Sequence, residues 1–68
     1  MTWRIDESKV TNILKAGGHN YLDLAANTGY RLNTLLEMCS GEPVEPEAAY
    51  RIAKELGVEI EDILLEVI

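Results

Sequence analysis

The sequence predicts a single all-α domain of five short helices over residues 1–68. Three observations carry this expectation. Apolar residues recur at three- and four-residue spacing in five separate stretches. Glycine closes most of those stretches, as it does where a helix must stop. The connections are brief, and no repeat, low-complexity tract or linker divides the chain.

The elements follow in order. Thr2, Trp3, Arg4 and Ile5 favour an extended backbone and are stopped by Asp6 and Glu7. The first helix carries Val10, Ile13 and Leu14 on one stripe, with Asp6 or Ser8 placed to cap it and Gly17 and Gly18 ending it. The second opens at Asn20, whose side chain can accept from the free amide near Asp23, while the Asp23 carboxylate suits the positive end of the helix dipole. It carries Leu22, Leu24 and Ala25 and stops near Thr28 and Gly29. The third runs from about 32 to 40, with Leu32, Leu35, Leu36 and Met38 as its apolar residues, and ends at Gly41. Residues 42–46 form a loop, and Pro46 fits the first turn of a fourth helix because its missing amide hydrogen would be unpaired there anyway. Ala49, Ile52, Ala53 and Leu56 form that helix's buried stripe, and Gly57 stops it. Residues 58–65 hold a short fifth helix with Ile60, Ile63 and Leu64 inward.

Residues 65–68 suit either the last turn of that helix or a strand. As a strand they would pair with residues 2–5 in a two-stranded ribbon from the two ends of the chain. Such a ribbon has open edges and could join two subunits, with Trp3 either a lid on the core or an interface anchor.

Composition narrows the function. The chain is 47% hydrophobic and 26% charged, which suits a globular domain. A domain this small buries only about 60% of the surface it exposes unfolded, so a second subunit would help, and a homodimer is expected. The single cysteine, Cys39, excludes an internal disulfide and suits the cytoplasm. No apolar run approaches the roughly 18 residues of a membrane span, and the first residues lack the apolar stretch of a signal peptide.

The net charge of −6 is unevenly placed. Residues 1–41 balance Arg4, Lys9, Lys15 and Arg31 against Asp6, Glu7, Asp23 and Glu37. Residues 42–68 set Arg51 and Lys54 against Glu42, Glu45, Glu47, Glu55, Glu59, Glu61, Asp62 and Glu66. One face can therefore be acidic while another is neutral, so the total does not exclude a polyanionic ligand.

Catalysis has little to build on. His19 and Cys39 are one of each, without the spacing or the further ligands of a common zinc site. His19 reads as a partly buried packing residue and Cys39 as a small buried hydrophobe. The carboxylates are spread along solvated helix faces, and the two adjacent glycines lack a phosphate-loop pattern. The expectation is a protein that is not an enzyme, with no catalytic residue, metal or cofactor.

The ordered set from Gly18 onward resembles the Cro and lambda-repressor-like (Xre-type) helix-turn-helix family. The residues carrying the resemblance are Leu24 and Ala25, Gly29 four residues on, Thr34 and Leu35, Gly41, Pro46, the run from Ala53 to Val58, and Asp62, Ile63 and Leu64. Together they cover about residues 8–65, and the resemblance implies a single helix-turn-helix domain over 1–68 with the helix-turn-helix proper at about 20–40. Ala25 lets the second helix approach the third closely, and Gly29 permits the tight turn between them. The third helix can then project into a major groove about 12 Å wide.

The resemblance implies double-stranded DNA as ligand. Asn20 and Tyr21 would lie at phosphate, and Arg31, Leu32, Asn33 and Leu36 would face the groove with Glu37 beside them. Thr34 is short enough to reach a backbone oxygen. Many members bury an Arg–Glu pair where Leu14 and Cys39 stand, and an apolar pair there leaves no charge unpaired. The family often has Gln at Tyr21, a Ser or Thr cap at Arg31, an apolar residue at His19 and a basic loop where Glu42 and Glu45 stand.

Several side chains have two readings. Leu32 and Leu36 either form an apolar surface, for protein or for thymine methyls, or turn partly into the core. Arg31 suits guanine but could pair with Glu37 or Asp23. Asn33 suits adenine but could cap the third helix. The expected function is a small repressor-like transcriptional regulator of the phage or mobile-element kind. It would bind as a dimer and occlude a promoter, since the length leaves no room for a separate effector domain. The alternative is a helix-turn-helix fold repurposed for protein binding, as an antirepressor or partner of another regulator, through Leu32, Leu36 and the acidic surface.

Overall fold

The computed structural model describes residues 2–67. Strand β1 (Trp3–Ile5) leads into helices α1 (Glu7–Ala16), α2 (Tyr21–Thr28) and α3 (Leu32–Met38). Strand β2 (Pro43–Val44), helix α4 (Pro46–Leu56), a single 3₁₀ turn (Ile60–Asp62) and strand β3 (Leu64–Val67) complete the order.

The helix starts and stops are local chemistry. Asp6 caps α1 by accepting from the amides of Ser8 and Lys9. At α2 the caps are reciprocal: Asn20 Oδ1 accepts from the Asp23 amide at 2.9 Å, and Asp23 Oδ2 accepts from the Asn20 amide at 3.1 Å. Pro46 occupies the first turn of α4, and Gly57 ends that helix in the left-handed conformation. Apolar faces from all four helices then meet in one core containing Val10, Leu14, Leu24, Leu35, Cys39 and Ile52. Leu14 and Cys39 are both in it, apolar as expected.

Among the described residues four α-helices form, and the expected fifth does not. Only Ile60–Asp62 turns, closed by reciprocal bonds between Glu59 and Asp62. The backbone then extends because β1 offers it better partners. Asp6 donates its amide to the Ile63 carbonyl at 2.8 Å. Trp3, Arg4 and Ile5 pair with Val67, Glu66 and Leu64 across a bulge. A helix of a few residues is marginal by itself, so tertiary pairing decides the outcome.

The ribbon between the chain ends therefore exists, although Ile68 of its expected span lies outside the described residues. It also has a third strand. Val44 pairs opposite Trp3, giving an antiparallel sheet of order β2-β1-β3. Pro43 is tolerated because β2 is an edge strand. The stretch expected as a plain loop thus holds the sheet's other edge.

The sheet is tied to α4 on one face and to its own strand β3 and a neighbouring connection on the other. Trp3 is half-buried and meets Tyr50 of α4 edge-on, with ring centroids 5.2 Å apart. On the opposite face, Arg4 Nε lies 3.1 Å from Glu66 Oε1, and Arg4 Nη1 donates to the Gly41 carbonyl.

Two placements differ from expectation. His19 is exposed rather than packed, its Nδ1 3.7 Å from Asp23 Oδ2. Its amide closes the end of α1 on the Leu14 carbonyl, which turns the chain outward there. Leu22 is 63% exposed. The inward stripe of α2 is Leu24, Ala25 and Thr28, and the helical step of about 100° carries Leu22 off that stripe.

Candidate nucleic-acid interface

Helices α2 and α3 are joined by Gly29, Tyr30 and Arg31, and the geometry of that turn sets where α3 points. Gly29 adopts φ 82°, a left-handed conformation that costs a side-chain-bearing residue about 1–2 kcal/mol. Its amide closes α2 on the Ala25 carbonyl at 3.0 Å. Thr28 is only 1% exposed, and its hydroxyl donates to the carbonyls of Leu24 (2.9 Å) and Ala25 (3.3 Å) while accepting from the Tyr30 amide (3.4 Å). A buried polar group so satisfied fixes the turn as well as filling space.

Tyr30 is half-buried, and the Arg51 guanidinium of α4 lies over its ring at 5.4 Å. The fold thus brings a cation from the acidic part of the chain to the turn that holds Arg31. No pattern along the sequence marks that pairing, because it joins residues from different elements.

Helix α3 is anchored by Leu35 and capped at its end by Cys39, both fully buried. Burial pushes the Cys39 thiol up to about 11, with Glu7 adding to the rise. Leu32 is half-buried and packs against the core, whereas Leu36 is 41% exposed. Of the two readings open for these leucines, Leu32 is largely a packing residue and Leu36 is available.

Asn33, Thr34, Glu37 and Ser40 are exposed along with Leu36. Asn33 is the second residue of α3 and not its cap. Arg31 precedes the helix without a side-chain cap and forms no ion pair with Glu37 or Asp23 among the described residues. Arg31, Asn33, Thr34 and Leu36 are each accessible, with Asn33 and Glu37 near the middle of the outward arc of α3 and Thr34 and Leu36 on its two flanks. The chemistry along the helix is graded: a cation and an amide at the start of α3, an apolar edge at Leu36, and carboxylates at the far end. There Glu37 and Glu42 line one hollow with Met38, Pro43 and Val44.

The two α2 candidates differ. Asn20 is exposed, and its Oδ1 is committed to the cap, which leaves Nδ2 to donate outward. The Tyr21 hydroxyl is turned toward α1, 2.7 Å from Thr11 Oγ1 and 3.4 Å from the Glu7 carbonyl it donates to. Burial raises its pKa above the ordinary tyrosine value, Thr11 opposes that rise, and Cys39 and Glu7 add to it. Tyr21 thus serves chiefly to hold α1 against α2. On the outer side of α2, Leu22, Ala26, Tyr30 and Leu32 line a shallow, largely apolar groove beside α3.

No described helix is long and apolar enough to cross a membrane, and no His, Cys, Asp and Glu cluster among the described residues could hold a metal ion.

The model of one family, the Cro/C1-type helix-turn-helix DNA-binding domain, matches residues 9–65. Among curated proteins and among solved structures, nothing matches the chain.

Proposed function

We propose that this chain, which belongs to the Cro/C1-type helix-turn-helix DNA-binding family, is a repressor-like transcriptional regulator that reads an operator with the start of α3. The observation that carries the reading is that Arg31, Asn33, Thr34 and Leu36 are all accessible on and just before α3, which follows a turn whose buried Thr28 hydroxyl is satisfied. Recognition helices of this kind meet base edges with their N-terminal residues. Arg31 and Asn33 would supply donors for guanine and adenine, Thr34 would reach phosphate, and Asn20 at the start of α2 and Arg51 over Tyr30 would add backbone contacts. Repression would follow from occlusion of a promoter.

A homodimer fits the two-fold symmetry of such operators. It is supported by the outer edge of β3, a strand paired on one side only, where Leu65 and Val67 are each more than half exposed. The second reading, a helix-turn-helix turned to protein binding, is favoured by the exposed Leu22 in the apolar groove of α2.

Fluorescence anisotropy against a pool of short duplexes, at about 50 and 200 mM salt, separates the two. Affinity that falls steeply with salt means that phosphates are being neutralised. Absence of binding at the lower salt sinks the DNA reading and favours the protein partner.

A further inference from the structure

Resting on the DNA-binding reading, we infer that the operator half-site of this chain contains a thymine whose methyl packs against Leu36, next to an adenine read by Asn33. Three features of α3 lead there. Leu36 stays 41% exposed even though Leu35 and Cys39 complete the inward stripe, so the core does not account for it. Asn33 lies one turn earlier on the same side, roughly 60° around the helix from Leu36 by the 100° step, so the two side chains face neighbouring base pairs. Asn pairs in bidentate fashion with adenine N6 and N7, and an apolar side chain discriminates by contact with the thymine C5-methyl.

The rest of the surface argues against guanine. Guanine presents two acceptors in the major groove, and no Lys or Arg stands between Leu32 and Ser40 to donate to them. Glu37, exposed near the middle of the outward arc, is itself an acceptor and would repel guanine O6 and N7 while accepting from the amino group of adenine or cytosine. Arg31 at the start of the helix is left as the one guanine reader on this face, at the border of the half-site.

The test starts from duplexes selected out of a randomised library at about 50 mM salt. In the best-bound duplex each thymine is replaced in turn by deoxyuridine, which removes only the methyl. One thymine per half-site should lose affinity about fourfold, the worth of one buried methyl group. Leu36→Ala should bind more weakly and show no response to that replacement. Replacing the neighbouring adenine by 7-deazaadenine should weaken the unmodified protein and leave Asn33→Ala indifferent. Tight binding that ignores deoxyuridine at every thymine, or a selected core made of G·C pairs, overturns the inference while the DNA reading stands. If no duplex is retained at that salt, both fall together.

Discussion

The chain divides into a front made of α1, α2 and α3 and a back made of β2, α4, the 3₁₀ turn and β3, and the two solve different problems. The front balances its charges and caps its first two helices with its own side chains. The back carries the whole net charge of −6 and depends on β1, from the opposite end of the chain, for its shape. A solvated acidic back suits solubility and repels polyanions, and a neutral front leaves one face on which phosphate can approach. The division is not complete. Arg51 of the back stacks on Tyr30 of the front, so the acidic part contributes a cation to the turn it supports.

The sharpest way to break this arrangement is at its shared core. Leu35→Ala removes a fully buried side chain from the helix that would read DNA and should cost about 2–5 kcal/mol, a large share of what so small a domain has. Thermal melts should show one earlier transition for front and back together; a front that melts alone would mean two independent units.

A smaller effect should confine itself to the front's function. Arg31→Ala and Asn33→Ala, both at exposed positions, should each weaken specific DNA binding by about 1–3 kcal/mol with an unchanged melting temperature. If affinity for an established site is untouched, the base-reading role belongs elsewhere.

Alkaline pH should weaken the fold through two groups of the front. Burial lifts the Cys39 thiol from an ordinary value of 9.0 to about 11, and the Tyr21 hydroxyl is raised as well. Both groups hold their protons more tightly folded than unfolded. The thiol's contribution is therefore complete below about pH 9 and is lost as pH climbs through about 11, and the hydroxyl's has the same sign. Urea midpoints measured from pH 8 to 11 should fall, and Cys39→Ala should flatten the slope, leaving the share due to Tyr21. An unaltered slope would remove the thiol from the account.

The smallest effect tests the bridge between the two regions. Arg51→Ala should cost about 0.5–1 kcal/mol of stability through the lost cation–π contact. In the DNA reading it should also lower affinity evenly across sequences and make the salt dependence shallower. Arg51→Lys should restore much of the salt slope; equal slopes for all three proteins would confine Arg51 to a structural role.

How much of this was legible follows the range of the interactions involved. The α1 cap, narrowed to Asp6 or Ser8, the Asn20 cap of α2, the Pro46 start and the Gly57 stop all join residues within a few positions and were legible in the chain, whereas the return bond from the Asn20 amide to Asp23 was not. The inward stripes of α1 and α4 were equally plain because 3.6 residues per turn is a local rule. Of the interface, Asn33 and Thr34 were placed outward, while Leu32 against Leu36 could be separated only by the rotation of α3 on the core. Leu22 and His19 were misplaced for the same reason: which side of a short helix or connector faces inward depends on what packs there. Tyr30, Thr28 and Arg51 gave no signal along the chain.

By itself, then, the sequence pointed to the four helices that form and to a fifth that does not, to most of their ends though it ran α3 on to residue 40, to an apolar core that includes Leu14 and Cys39, and to membership in a helix-turn-helix family. Tertiary structure decided that residues beyond Asp62 extend instead of coil, that Val44 adds a third strand, and that Arg51 meets Tyr30. The physical reason is that a helix satisfies its own backbone within one turn, whereas a strand finds its partners only where the rest of the fold delivers them.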